Sequence, residues 1–349
     1  MVSRHTRATW YACRVPSFTN RRLLRAELIG ESTLRRMIWN WKVVYWVKSL
    51  AVAVIALSSI RTSEARRTPA ERGQTWTQQE TLLWPDGAPG ALGSTPLDQP
   101  LLWIFPAPKQ PGHETHTGVL MIPGGGYVNY SLEPEGLDTA RWLNNVGISA
   151  FVLQYRLAPR YAYPAQFDDG ARSMRWIRQH ASEFDLDPER IGVWGSSAGG
   201  HLASMLATHF DSGNPSAKDP VERVSSRPDF VVLVYPVIEP LGFAAVSSLK
   251  ELAGPNPSPA SEDILMTDKH VTSKTPPTFL MHANDDMAVD PESSVRFYLA
   301  LRAAGVPAEL HIYQHGGHGF GLAINDPVLH SWTTRVADWL RGLGFLTTH

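Results

Sequence analysis

Short apolar runs alternate with amphipathic segments along most of the chain. Continuous apolar runs of a few residues are typical of strands buried on both faces, whereas apolar residues three and four positions apart are typical of helices. The runs predict strands at 101–105, 118–122, 148–155, 191–194, 230–235, 278–282 and 309–313. The segments between them predict helices at 135–146, 164–184, 291–304 and 328–343, and from residue 198 onward. This alternation predicts an α/β fold with a mainly parallel central sheet and helices on both faces.

Two parts of the chain break the alternation. Residues 66–98 are polar with scattered Pro and Gly, which predicts a linker followed by a surface arm. Residues 237–275 are too long for a plain connection between a strand and a helix. We expect them to form a small insertion over the carboxyl ends of the strands, where sites on such sheets lie. The α/β domain is therefore assigned to residues 99–349. In its helix 291–304, we expect Val295, Tyr298 and Leu299 to face the core.

The first 65 residues differ in charge from the rest. They contain 11 Lys and Arg against 3 Asp and Glu, followed near their end by an apolar run at 49–60 and then small residues at Ser63 and Ala65. This layout predicts a secretory signal peptide that is cleaved after Ala65, with Met37 as the true translation start. The protein would then be secreted or periplasmic. Apolar residues upstream could lengthen the run, so an uncleaved membrane anchor is the alternative: Trp39, Trp41, Val43, Val44 and Trp46.

Composition narrows the function of residues 66–349. They carry 21 Lys and Arg against 30 Asp and Glu, and this net negative charge argues against a nucleic-acid partner. The only cysteine is Cys13, which leaves the domain without a disulfide or a thiol nucleophile. His113 and His116 flank Glu114 in a short polar stretch that is more typical of a solvated turn than of a metal site. We therefore expect no metal and no cofactor, and the oligomeric state stays open.

The stretch 195–199 reads Gly-Ser-Ser-Ala-Gly, between a predicted strand and a predicted helix. A Gly-x-Ser-x-Gly sequence in this context predicts a nucleophile elbow, a turn too sharp for side chains at the two glycine positions. Ser197 has glycine at both −2 and +2, so it is the candidate nucleophile. His201, one turn into the helix, is expected to be a packed helix residue.

An activated serine needs a histidine base, and the histidine needs a carboxylate that orients it. Asp285 and Asp286 follow the strand 278–282, and His315 and His318 follow the strand 309–313. This order, Ser then Asp then His, is the one expected for such a fold. We favour Asp286 and His318 as the catalytic pair, with Asp285 as a turn residue and His315 as a packed or surface residue.

A carbonyl group that is attacked by serine also needs N–H donors for its developing oxyanion. Ala198, directly after the nucleophile, supplies one. Gly124, Gly125 and Gly126 follow the buried strand 118–122, and glycine lets the backbone approach a ligand closely. Tyr127, the next residue, is a candidate for lining the acyl pocket.

Four motifs together resemble the α/β-hydrolase esterases of the hormone-sensitive-lipase-like group. They are Pro-Gly-Gly-Gly-Tyr at 123–127, Gly-Ser-Ser-Ala-Gly-Gly-His-Leu-Ala at 195–203, Asp-Asp-x-x-Val at 285–289 and Gly-Gly-His-Gly-Phe-Gly-Leu at 316–322. Within the group they are most similar to secreted acetyl esterases of the acetylxylan-esterase-like and feruloyl-esterase-like type. The resemblance implies a triad of Ser197, Asp286 and His318 and an oxyanion hole formed by Gly125, Gly126 and Ala198. Many members of this group have His where this chain has Pro123, so a side chain that would brace the glycine loop is absent.

The sequence thus predicts a serine-dependent hydrolase of short-chain acyl esters that works through an acyl-enzyme. Its substrate would be a small-molecule or carbohydrate ester, and acetylated xylan-like carbohydrate is an expectation from the resemblance alone. Two alternatives stay open. A peptidase or amidase could use the same triad, and a non-catalytic binding protein could keep the same fold.

Overall fold

The computed structural model describes residues 79–109 and 114–347. They form one eight-stranded sheet in the order β1-β2-β4-β3-β5-β6-β7-β8, in which β1 and β2 are antiparallel to their neighbours and the other strands are parallel. The strands are β1 Gln79–Leu82, β2 Leu101–Phe105, β3 Gly118–Ile122, β4 Ser149–Gln154, β5 Ile191–Ser196, β6 Val231–Val234, β7 Thr278–Ala283 and β8 Ala308–Tyr313. The helices are α1 Asp138–Asn145, α2 Ala165–Gln179, α3 Ala198–Thr208, α4 Phe243–Ala253, α5 Pro259–Ile264, α6 Glu292–Ala303, α7 Pro327–His330 and α8 Trp332–Gly342. The predicted α/β class is confirmed.

Side chains that alternate along each strand build a core on both faces of the sheet. In β3, Leu120 and Ile122 belong to one core, while Val119 and Met121 belong to the other. Helices α2, α3 and α6 cover the first face, and α1 and α8 cover the second. Because both faces are covered, the central strands are continuous apolar runs, which is why the sequence predicted them to within two residues.

The structure differs from the sequence predictions at the edge of the sheet and on the buried face of α6. Residues 79–82, inside the predicted linker and arm, form the edge strand β1. In α6, Leu299 is exposed and Val295 and Tyr298 are only half-buried, whereas the buried positions are Ser293, Ser294, Phe297 and Leu301. The apolar spacing in α6 missed this face because two of its buried members are serines.

The segment that follows β1 is anchored by buried charges. The Arg156 guanidinium forms an ion pair with Asp169 at 2.8 Å between Nη2 and Oδ1, and both side chains are almost fully buried. Arg156 Nη1 also donates to the carbonyl of Pro89 at 2.6 Å, and Trp84 Nε1 donates to Asp169 at 3.3 Å. Residues 84–89 are therefore part of the packed domain rather than a free arm.

The insertion at 237–275 contains α4, α5 and a short 3₁₀ turn, Thr267–His270. It packs over α3, where Leu265 accepts a hydrogen bond from the His201 ring at 2.8 Å and Thr267 contacts Ser204 at 2.9 Å. The insertion thus lies against the helix that begins directly after Ser197.

The predicted leader, residues 1–65, lies outside the described residues, as do Cys13 and His113. Among the residues that are described, no helix is long and apolar enough to cross a membrane.

Candidate active site

Ser197 stands on a strained turn between β5 and α3. Its φ of 53° lies in the left-handed region, which a residue with a Cβ rarely adopts and which costs about 1–3 kcal/mol. Two hydrogen bonds hold the turn: Ser197 N–H donates to the Val234 carbonyl at 3.0 Å, and the Ser197 carbonyl accepts from Val237 N–H at 3.1 Å. The strain is thus supported by the neighbouring strand end and by the first residues of the insertion.

The glycines on either side of Ser197 are required by close backbone contacts. A Cβ added at Gly195 would lie 2.2 Å from the carbonyl oxygen of Gly199, and one added at Gly199 would lie 2.1 Å from that of Ile122. Neither oxygen can move without disturbing β3 or α3. The two glycines of the Gly-x-Ser-x-Gly pattern are therefore needed because the turn packs closely against its own helix α3 and against β3.

A chain of hydrogen bonds connects Ser197 to Asp286 through His318. Ser197 Oγ lies 2.8 Å from His318 Nε2, and His318 Nδ1 lies 2.6 Å from Asp286 Oδ2. An ionised carboxylate only accepts hydrogen bonds, so the proton of the ring is on Nδ1 and the lone pair on Nε2 faces the Ser197 hydroxyl. The structure thus brings together the three residues that the sequence predicted, from loops after β5, β7 and β8.

Asp286 is held ionised by its partners. Burial by itself would raise the pKa of its carboxyl group, but hydrogen bonds from His282, His318 and the Val289 N–H hold the pKa well below its usual range. Oδ1 accepts from the N–H groups of Ala288 at 2.9 Å and Val289 at 3.0 Å. The side chain itself has no solvent-accessible surface. A buried carboxylate with this many donors is a fixed negative charge beside the imidazole.

His282 is a second histidine on Asp286, and sequence analysis did not single it out. Its Nε2 lies 3.3 Å from Asp286 Oδ2 and 3.1 Å from the carbonyl of Val289, so this nitrogen carries the proton. Its Nδ1 is paired with the Ser294 hydroxyl at 2.8 Å. The ring is fully buried at the end of β7, and it contacts the same carboxylate oxygen as His318, Oδ2 of Asp286.

Asp285 and His315 are placed as the sequence predicted, outside the hydrogen-bond chain. Asp285 accepts from the N–H groups of Gly316 and Gly317 at 2.9 and 2.8 Å, and His315 is an exposed residue 3.2 Å from the same carboxylate. The two adjacent aspartates therefore have different roles. Asp285 holds the backbone of the loop that carries His318, and Asp286 contacts the His318 ring.

The predicted oxyanion donors lie beside the nucleophile, in the loop after β3 and at Ala198, directly after Ser197. Gly125 and Gly126 have φ values of 127° and 66°, which only glycine adopts without strain. A Cβ added at Gly124 would be 2.8 Å from Ser197 Cβ, so this loop packs directly against the nucleophile. Within the described residues, the N–H groups of Gly125, Gly126 and Ala198 donate to no protein acceptor. They are free to bind an oxygen of a ligand.

The glycine loop has braces of its own, although it lacks a histidine at position 123. Tyr155 donates from its hydroxyl to the carbonyl of Pro123 at 3.1 Å. Gly124 N–H donates to Glu135 Oε2 at 2.7 Å, and its carbonyl accepts from Ser131 N–H at 2.8 Å. Glu135 is a buried carboxylate, and burial raises its pKa, an effect that the hydrogen bond from Gly124 opposes.

Tyr127 does not line a pocket, which corrects the sequence prediction. Its ring has no accessible surface, and its hydroxyl lies 2.7 Å from His201 Nδ1. The His201 ring is fully buried as well, and its Nε2 donates to the Leu265 carbonyl, so Nδ1 accepts from the tyrosine. Because the chain reverses at Tyr127, with a φ of 64°, its side chain points into the core behind the loop.

The family of the chain follows from comparison with known proteins. The profile of a family described as alpha/beta hydrolase fold matches residues 119–322, a range that includes Ser197, Asp286 and His318. This protein belongs to the alpha/beta hydrolase family.

The proteins that this chain is similar to include several that are named as ester hydrolases, and one that is named as a xylanase. A solved structure of an acetyl ester-xyloside bifunctional hydrolase from Caldicellulosiruptor lactoaceticus is 42% identical, with a TM-score of 0.72, and the match covers 79% of this chain and all of that one. An acetylxylan esterase from Xylanibacter ruminicola is 31% identical over 67% of this chain and 47% of its own length. An endo-1,4-beta-xylanase B from Butyrivibrio fibrisolvens is 34% identical over 62% of this chain and 34% of its own length. The chain thus spans half or less of these two curated relatives.

Proposed function

We propose that this protein is a serine esterase that hydrolyses short-chain acyl esters, with acetylated xylan-like carbohydrate as its substrate class. The observation that carries the proposal is the chain of hydrogen bonds from Ser197 through His318 to Asp286, at 2.8 and 2.6 Å. The three free N–H groups that flank the nucleophile support it.

The geometry suits a double-displacement reaction. His318 takes the hydroxyl proton through Nε2 as Ser197 Oγ attacks the ester carbonyl carbon. The negative charge that develops on the carbonyl oxygen is stabilised by the N–H groups of Gly125, Gly126 and Ala198, and Ala198 adds the positive end of α3. Asp286 stabilises the imidazolium that forms. His318 then gives its proton to the departing alcohol, and a water molecule, deprotonated by the same ring, hydrolyses the acyl-enzyme.

The substrate class rests on the similar proteins. The solved structure is named an acetyl ester-xyloside bifunctional hydrolase, and one curated relative is named an acetylxylan esterase. The former is matched over its whole length, and this is why we favour an acetylated carbohydrate over a lipid ester.

The test compares Ser197→Ala with the wild-type enzyme on p-nitrophenyl acetate and on acetylated xylan. We expect kcat for both substrates to fall by about 10⁵-fold or more, because the loss of the nucleophile leaves only the binding groups. Ser216→Ala, the same change at an exposed site, serves as the control and should keep the wild-type rate. Wild-type turnover by Ser197→Ala would refute the proposal.

The same assay separates the alternatives. Hydrolysis of 4-nitroacetanilide at a rate similar to that of the ester would favour an amidase. A wild-type protein that neither hydrolyses esters nor reacts at Ser197 with a fluorophosphonate would favour a binding protein.

A further inference from the structure

Glu135 is a buried carboxylate that contacts two loops of the active site at once. Glu135 keeps only 3% of its accessible surface. Each of its two carboxylate oxygens accepts a separate hydrogen bond. Oε2 accepts from Gly124 N–H at 2.7 Å, and Oε1 accepts from the Tyr235 hydroxyl at 3.0 Å. Burial raises the pKa of this carboxyl group, and the hydrogen bonds from Gly124 and Tyr235, together with the nearby charge of His318, oppose that effect without cancelling it.

The first contact fixes the loop that carries the oxyanion donors. Gly124 immediately precedes Gly125 and Gly126, and a Cβ at Gly124 would be within 2.8 Å of both Glu135 Oε2 and Ser197 Cβ. The backbone at this point is thus held between the carboxylate and the nucleophile. A small movement of Gly124 would carry the next two N–H groups with it.

The second contact reaches the loop that carries His318. Tyr235 donates its hydroxyl hydrogen to Glu135, and its oxygen accepts from Gly321 N–H at 3.1 Å. The ring of Tyr235 packs against the His318 ring, with 4.9 Å between the ring centroids. Tyr235 therefore holds the His318 loop at two points, and Glu135 holds Tyr235.

The local backbone explains how a glutamate at this position reaches so far inward. Residues Leu132–Leu137 form a turn of π-helix directly before α1. Such wide turns recur at functional sites, where they displace a side chain from the face that a regular helix would give it. The neighbouring Glu133, in the same turn, faces outward and pairs with Arg141 at 3.0 Å.

We propose that Glu135 is a positioning residue that holds the oxyanion loop and the His318 loop at one fixed separation. It touches neither substrate nor reacting atom, and acts through Gly124 and Tyr235. The inference rests on the proposed esterase function, since the separation matters only if both loops act on one carbonyl group. It assigns to Glu135 the bracing that Pro123 cannot provide.

The test is steady-state kinetics on p-nitrophenyl acetate with Glu135→Ala and Glu135→Gln. Glu135→Ala removes both contacts, and we expect kcat to fall by about 10²-fold while KM changes by less than about threefold, because misplaced donors weaken mainly the transition state. Glu135→Gln keeps a carbonyl oxygen for Gly124 N–H, and we expect it to restore kcat to within about tenfold of wild type. Glu133→Ala and Glu133→Gln are the matched controls in the same turn, and should change kcat by less than about twofold.

If Glu135 has a purely structural role, Glu135→Ala should have a lower melting temperature but an unchanged kcat per active site, as counted by fluorophosphonate titration. That result would overturn the proposal. If Glu135→Ala does not fold, a double-mutant cycle of Glu135→Gln and Tyr235→Phe decides. If Glu135 acts through Tyr235, the loss in kcat of the double variant should be smaller than the product of the two single losses. A loss equal to that product would mean that the two residues act independently, and would overturn the proposal. A wild-type protein without Ser197-dependent esterase activity would instead refute the proposed function, so the two failures are distinguishable.

Discussion

The buried His201 should make the stability of this protein depend on pH. Burial lowers the pKa of His201 to about 4, an effect that the carbonyl of Leu265 opposes and His209 reinforces. The unfolded chain has no such burial, so its His201 takes up a proton near the usual pKa of about 6.5. Between these two values the unfolded state binds more protons than the folded state, and the folded state loses stability as the pH falls from about 6.5 to about 4.

The size of this effect follows from the difference between the two pKa values. A difference of about 2.5 pKa units corresponds to about 3.5 kcal/mol when it is fully expressed, at about 1.4 kcal/mol per unit. At pH 5, about 1.5 units are expressed, or about 2 kcal/mol. This is a large share of the 5–15 kcal/mol typical of a folded protein.

The perturbation that tests this is His201→Gln. Glutamine can donate to Leu265 and accept from Tyr127 but does not titrate. We would measure the free energy of unfolding of both proteins in urea at pH 7.5, 6 and 5. Every other histidine is present in both, so its contribution cancels in the difference between them.

We expect the free energy of unfolding of the wild type, relative to the variant, to fall by about 2 kcal/mol between pH 7.5 and pH 5. A difference that stays constant over this range would refute the reasoning, because it would mean that His201 binds protons equally in both states. Direct titration of the ring by NMR in the wild-type protein gives the same answer if the variant does not fold.

Two further predictions concern the site and the leader. Asp286→Asn should lower kcat on p-nitrophenyl acetate by about 10³–10⁴-fold, because the amide has only one acceptor oxygen, whereas Asp286 uses Oδ1 for backbone N–H groups and Oδ2 for His318, and because the amide carries no charge to stabilise the imidazolium. A loss of less than tenfold would contradict the role of Asp286. For the leader, we expect N-terminal sequencing of the protein exported from cells to begin directly after Ala65, and a mature chain that begins at Met1 or Val2 would contradict the signal peptide.

Sequence patterns predicted the strands well because the central strands are buried on both faces. The run 118–122 was assigned without error, since all five of its residues lie in the core. The edge strand β1 was missed because its residues are largely exposed and its pattern is that of a polar arm. Where one face is open to water, an apolar run is absent and only the pairing with β2 defines the strand.

The catalytic residues were predictable because each of them follows the end of a strand: Ser197, Asp286 and His318. The order of these residues along the chain then identified which serine, aspartate and histidine act together. Glu135 and His282 were missed because their roles depend on tertiary contacts. An acidic residue between Pro134 and Gly136 at the start of a predicted helix is normal for a solvated first turn, and nothing in its neighbours indicates that it is buried.

The anchoring of residues 84–89 sets a lower limit on the size of the stable domain. A shortened protein that begins at residue 99, where the sequence placed the start of the domain, would lose the carbonyl of Pro89 and the indole of Trp84. Arg156 and Asp169 would keep each other, but Arg156 would lose an acceptor, Asp169 would lose a donor, and the ion pair would lose the segment that shields it from water. Shortened versions for crystallisation or expression should therefore retain the chain from Gln79 onward.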